Sequence, residues 1–169
     1  MGFPSKLKNL NFYIDGSGYL GEIEEVELPK LMLKVEEYRG GGMIGPVDID
    51  MGLDKIELGI TMAGLIAGVL AQFGAPAIDA ALTRFAGAFQ NDQTGTVQAV
   101  EIACLGRWKE VDWGNAKSGD NTQHKYKLGC SYYKLTVDGV EWVEVDLVNG
   151  IYVVFGVDRY AEIRAAIGA

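Results

Sequence analysis

Period-two alternation runs through most of this chain and limits what it can fold into. From Leu31, one side carries Leu31, Leu33 and Val35, and the other Met32, Lys34, Glu36 and Tyr38. Val47, Ile49 and Met51 alternate with Asp48 and Asp50, and Ile56, Leu58, Ile60 and Met62 alternate with Lys55, Glu57, Gly59 and Thr61. Each run has one apolar face and one wet, mostly acidic face, which is the pattern of antiparallel sheets packed on one side. Asp15-Gly16-Ser17-Gly18, Asp138-Gly139 and Asn149-Gly150 supply turn chemistry between runs. Strands are expected at 11–15, 19–28, 82–90, 96–108, 125–137, 140–148 and 151–155, with a polar loop at 114–123. Only two helices break the pattern. One spans Leu65 to Phe73, where Leu65, Val69 and Phe73 recur at helical spacing until Gly74-Ala75-Pro76 stops it. The other closes the chain, with Asp158 as N-cap or first-turn acid, Tyr160, Ile163 and Ile167 on one face and Gly168 at its end. The expected fold is mainly β: one domain over 1–169, an antiparallel β-sandwich or barrel with one packed helix and a C-terminal helix.

The segment from Leu28 to Leu53 departs from an ordinary hairpin. A tight hairpin needs about two to five loop residues. Roughly seven, Gly40 to Pro46, separate the two runs here, and Met43 and Ile44 make the tip apolar. Such a loop reads as a piece of chain that finishes folding against a neighbour.

Composition excludes more than it assigns. At 169 residues the chain is long enough for its own core. Its net charge of −8 argues against a groove holding nucleic acid; Lys125, Lys127 and Lys134 read as a solvated strand edge. Cys104 and Cys130 fall inside strands and read as buried thiols in a reducing compartment. Lys6 and Lys8 are not followed by an apolar core of signal-peptide length, and Ile60 to Ala71 is too short to span a bilayer. The reading is a soluble chain, cytoplasmic when made, with no membrane anchor.

No catalytic set is visible. The one histidine, His124, stands beside a polar loop and reads as exposed. Gly40-Gly41-Gly42 is followed by neither Lys-Ser/Thr nor a helix, so it is no phosphate cradle. Asp48 and Asp50 point the same way along a strand but lack the further oxygens a Ca²⁺ site needs. Trp108, Trp113, Tyr132, Tyr133 and Trp142 read as core or interface aromatics rather than a sugar platform. No catalytic residue, metal or cofactor is expected.

The segments LPKL, EEYRGGGM, GPVDIDMGL, KEVDWG, SYYKLTVDG, EVDLVNGI and VDRYAEIR, taken together, resemble the major tail tube proteins of P2-type contractile-tailed phages. They equally resemble the tube proteins of R-type bacteriocins. The resemblance runs almost end to end. It implies a structural subunit without catalysis, forming rings of six that stack into a hollow tube inside a sheath, with strands joined in a continuous barrel. The tube is a conduit for DNA in a phage and for ions or nothing in a headless particle. Sheath, tape measure, baseplate and tail terminator proteins are the implied neighbours, DNA passes without tight binding, and assembly takes place in the bacterial host cytoplasm. On that basis Lys34, Glu36, Asp48, Asp50, Lys55 and Glu57 are expected to face the lumen. The loop Arg39, Gly40, Gly41, Gly42, Met43, Ile44 and Pro46 is expected to contact the next ring. The alternative from the residues alone is a monomeric β-barrel or sandwich that binds a small ligand or carbohydrate through its aromatics.

Overall fold

A computed structural model describes residues 2–169. Strand follows strand: β1 (Ser5–Ile14), β2 (Ser17–Gly18), β3 (Ile23–Glu27), β4 (Leu33–Tyr38), β5 (Val47–Leu53) and β6 (Ile56–Met62) precede the short helix α1 (Ala67–Leu70). Then come β7 (Ala81–Asn91), β8 (Val97–Asp112), β9 (His124–Val137), β10 (Val140–Asp146), β11 (Ile151–Val154), β12 (Val157–Asp158) and α2 (Ala161–Ala166). Every strand pair is antiparallel, as the alternation predicts.

The main sheet runs β12-β11-β10-β9-β8-β7-β1-β2 and forks at β9. The first half of β9 pairs with β6, from His124–Met62 to Cys130–Ile56, and its second half with β10, from Tyr132–Asp146 to Val137–Val140. β3 continues the fork beyond β6. Two branches thus diverge from β8 and β9, and the apolar faces close over one core. Phe12, Leu58, Met62, Val69, Phe85, Cys104, Tyr126 and Leu128 are fully buried there. Burying each large side chain contributes about 1.5–3 kcal/mol. Two of the polar groups that enter are matched, Thr83 Oγ1 donating to Cys104 O at 3.2 Å and Trp108 Nε1 to Gln72 Oε1 at 3.3 Å, whereas the buried Tyr126 hydroxyl and His124 Nδ1 have no hydrogen-bond partner among the described residues.

The β8–β9 contact depends on a missing side chain. Gly106 pairs with Cys130 beside a register shift, and a Cβ on Gly106 would overlap the Gly129 carbonyl. Only glycine lets the two backbones approach so closely at this bulge. The hairpin turns follow their sequence signals, with Asp138 at φ 50° and Gly139 at φ 79°. Phe155-Gly156 forms the same kind of turn, with φ 47° and 79°; a phenylalanine gives no warning of that geometry.

Several local expectations change. The run from Leu65 to Phe73 holds only the four-residue α1, followed by turns. Ile66 and Val69 are buried, whereas Leu65 and Phe73 are 75% and 50% exposed. Gly68 within the segment lies close against Tyr19, and its low helix propensity helps keep the helix short. The expected strand at 19–28 is a turn followed by β3. His124 is buried, not exposed: it opens β9, with its ring edge-on to Trp113 at 4.9 Å. At the C-terminus Asp158 does not cap α2 through its side chain. It accepts from Tyr160 N–H at 3.0 Å and pairs with Arg164, which lowers the Asp158 pKa.

Candidate assembly surfaces

The ribbon β4–β5 forms its own two-stranded sheet, apart from the main one. Every residue of β4 is exposed, and so is all of β5 except Leu53. An isolated ribbon with no packed face is marginal alone. Its register pairs Tyr38 with Val47, Glu37 with Asp48, Glu36 with Ile49 and Val35 with Asp50. Directly paired residues share a face. One face therefore carries Leu33, Val35 and Glu37 with Asp48, Asp50 and Leu53, and the other carries Glu36 and Tyr38 with Val47 and Ile49. The ladder slips by one residue near Gly52, whose φ is 103° and whose N–H donates to Asp50 Oδ1 at 2.8 Å.

This register corrects the single wet face expected from alternation. Asp48 and Asp50 do point the same way, but Glu36 lies on the opposite face of the ribbon, as Lys34 does by alternation. Lys55 and Glu57 are elsewhere again, at β6. Glu57 accepts from Lys109 Nζ at 2.6 Å and lies 3.0 Å from Lys55 and 3.8 Å from Lys127. Lys109 first and then Lys55 lower its carboxyl to about 2. The six residues fall on three surfaces, so they do not form one wall within this chain.

The tip is more shaped than its glycines suggest. Met43 N–H donates to Gly40 O at 3.3 Å, Gly40 N–H donates to Met43 Sδ at 3.0 Å, and Arg39 Nε donates to Met43 O at 3.3 Å. Met43 is folded back and half-buried. Ile44 alone projects, 99% exposed, with Gly45 and Pro46 leading into β5. Gly41 and Gly42 complete the turn, with Gly42 at φ 83°.

The broadest regular surface is the outward side of β1, β7, β8, β9 and β10. Register places Tyr13, Arg84, Ala103, Lys134 and Glu144 in one row across five strands. The next row is Asn11, Ala86, Glu101, Thr136 and Glu141. Asn9, Ala88 and Ala99 extend it on one side; Leu82, Leu105, Tyr132 and Asp146 extend it on the other. The cations of these rows are tied down in the plane, while Lys6 lies beyond them, opposite Gln90. Arg84 lies 3.0 Å from Glu101 with its guanidinium 4.3 Å over the Tyr13 ring, and Lys134 lies 3.6 Å from Glu141. Glu144 and Asp146 leave the face net acidic, and burial, with Glu141 alongside, raises the Glu144 pKa. This face leaves no mark in the sequence, because alanines at outward positions carry no polarity signal.

A second outward face on the other branch is dense with charge. Glu25 and Glu27 of β3 flank Gly59 and Thr61 of β6, then Lys125 and Lys127 of β9, then Glu110 and Asp112 of β8. Lys127 lies 3.8 Å from Glu57 and 3.9 Å from Glu110, so of the three lysines that read as a strand edge this one is salt-linked within the row, Lys125 is exposed beside it, and Lys134 belongs to the first face.

Nothing here is arranged for chemistry. Among the described residues no three His, Cys, Asp or Glu side chains are grouped to hold a metal. Cys104 and Cys130 are buried free thiols, and the Cys104 pKa is raised by its neighbour Cys130 and by burial. Among the described residues no helix is long and apolar enough to cross a membrane. Trp108 and Tyr133 are core residues, with burial pushing the Tyr133 hydroxyl up to about 12; Trp142 packs on Phe155 at 5.2 Å.

Comparison with known proteins accounts for a chain that is all surface and no active site. The family model described as phage tail tube protein FII matches residues 4–168. The tail tube protein of Escherichia phage P2 is 43% identical, covering 99% of both chains. The major tail tube protein of Serratia phage KSP20 is 38% identical, covering 99% of this chain and 98% of its own. The fold also matches a protein of the sheath/tube terminator of an extracellular contractile injection system (TM-score 0.56, 8% identity, 76% of this chain and 94% of that one). A protein from the sheath–tube complex of such a system matches with TM-score 0.54 and 9% identity, over 76% of this chain and 88% of that one. The chain belongs to the phage tail tube protein FII family, whose members are structural subunits of tail tubes and not enzymes.

Proposed function

We propose that copies of this chain join side by side into hexameric rings, and that the rings stack into the tube of a contractile tail. The observation that carries this is the free edge of β1. Its Ser5–Ile14 backbone is paired with β7 on one side, while on the other Tyr13 and Ile14 are taken by β2 and Phe12 O accepts from Tyr19 N–H at 2.9 Å, which leaves Ser5 to Asn11 without a strand partner there among the described residues. A long unpaired edge is an aggregation hazard unless a neighbour uses it, and closure of a ring removes it. The outward face of β1, β7, β8, β9 and β10 then lines the bore. Its alanines keep the wall smooth, the two cations of its central rows, Arg84 and Lys134, are bound to carboxylates, and its acidic surplus offers DNA phosphates little counter-charge beyond Lys6 at its margin. A basic wall would bind the passing polymer and stall it. The β4–β5 ribbon, which no part of its own chain covers, reaches the next ring through the loop from Arg39 to Pro46.

The contractile systems in which the structural neighbours occur support a sheath around the tube and a baseplate and terminator at its ends. A tape-measure protein inside the growing tube and assembly in the host cytoplasm complete the proposal. The test is sedimentation and negative-stain electron microscopy of the purified chain over a range of concentrations. Rings or tubes are expected at high concentration. A monomer at every concentration refutes the proposal.

A further inference from the structure

A half-open groove of about 700 Å³ lies between the base of the β4–β5 ribbon and the elements β10, β11 and α2. Leu33, Met51 and Leu53 form the ribbon side, and Leu147, Ile151 and Ile163 the other. Leu33, Met51, Leu147 and Ile163 are 44%, 55%, 39% and 50% exposed. The helix α2 buries no residue of its own, so its apolar side is turned to this groove rather than to the core. Two carboxylates, Asp50 and Asp146, lie at the lining against one cation, Arg159.

We infer that this groove receives the Arg39–Pro46 tip of a second copy, with Ile44 seated among Leu147, Ile151 and Ile163. The inference rests on the tube reading and names the surface that the projecting loop meets. The tip has matching chemistry. Ile44 is the most exposed large apolar side chain among the described residues, and Arg39 is the single charge of the loop, facing a lining with a carboxylate surplus. The tip is also pre-shaped by its three internal hydrogen bonds, so docking orders little extra backbone.

Direction follows from position. The groove sits at the base of the ribbon and the loop at its far end, separated by the six residues of β4, about 20 Å of strand. A copy cannot fill its own groove. Tip into base is a head-to-tail contact between different patches, which builds a ring or an open stack according to the rotation between copies; because the tip lies a full strand length beyond the groove, the contact offsets the second copy along the ribbon direction. That geometry fits stacking of rings, whereas the β1 edge fits closure within one.

The test uses the full chain with Ile44→Cys and Ile163→Cys together, assembled into tubes and oxidised with a copper–phenanthroline catalyst. The native cysteines are buried and stay out of the reaction. Non-reducing gels should show a ladder of covalent multimers, absent from either single variant. Tubes without a ladder overturn the inference while leaving the tube reading intact. A covalent dimer from Ile44→Cys alone overturns it too, since one thiol per chain can link only to its counterpart and so reports tip-to-tip contact. In parallel, Ile44→Asp and Ile163→Asp should each remain folded by circular dichroism yet raise the concentration needed for tube growth at least about tenfold. Normal growth of either variant refutes the pairing. Failure of the unmodified chain to form tubes at all sinks the tube reading, and this inference with it.

Discussion

Glu57 offers the sharpest test of the electrostatics. Its carboxylate is three-quarters covered and lies against the ammonium groups of Lys109, Lys55 and Lys127. Glu57→Gln keeps the shape and removes the charge. Exposed ion pairs are worth about 0.2–1 kcal/mol each, and the lysines here are 38–77% exposed. Two close pairs and one long one therefore sum to about 1 kcal/mol. In a protein of this size that lowers Tm by about 2–4 °C. The folded-state carboxyl titrates at about 2, below its ordinary 4.5. The stabilisation is therefore complete above pH 4.5 and is lost as pH falls toward 2. Thermal unfolding of dilute, unassembled protein should show a constant gap between wild type and Glu57→Gln from pH 5 to 8, closing below pH 4.5, and shrinking in 1 M salt. Equal Tm values at pH 7, or a gap that widens as pH falls, would refute the reasoning.

Two further substitutions probe the fold beneath the assembly surfaces. Gly106→Ala drives a methyl into the Gly129 carbonyl, a backbone atom that cannot swing away; it should cost at least about 2 kcal/mol in chemical denaturation. Leu128→Ala opens a cavity where a fully buried side chain stood, and the same denaturation assay should show a loss of about 2–5 kcal/mol.

Much of the fold was legible because burial writes itself as alternation. Ile56, Leu58, Ile60 and Met62 are all buried on β6, and the Asp-Gly turns stand where their chemistry requires. Three things were hidden, each for a physical reason. The ribbon's faces depend on the register set at the tip, which pairs Glu37 with Asp48 and Glu36 with Ile49, and on a one-residue slip near Gly52 that brings Leu33 opposite Leu53; strand-by-strand alternation cannot see which residue pairs with which. The helical spacing of Leu65, Val69 and Phe73 lost to Gly68 and to burial of Ile66 and Val69 one turn apart. Met43 looked like a free apolar tip because a thioether accepting a local N–H leaves no mark in a sequence. The broad alanine-bearing face was missed for a related reason: its outward positions are neither greasy enough nor charged enough to stand out. The resemblance supplied the function, and the residues alone would have stopped at an oligomeric β-sandwich.

The central claim is that the outward face of β1, β7, β8, β9 and β10 becomes the inner wall of a tube. Cryo-electron microscopy of assembled tubes, at a resolution that shows side chains, tests it most directly. The account predicts six-fold rings with Arg84, Glu101, Lys134 and Glu144 pointing into the bore. A map with these four residues on the outer surface would contradict it.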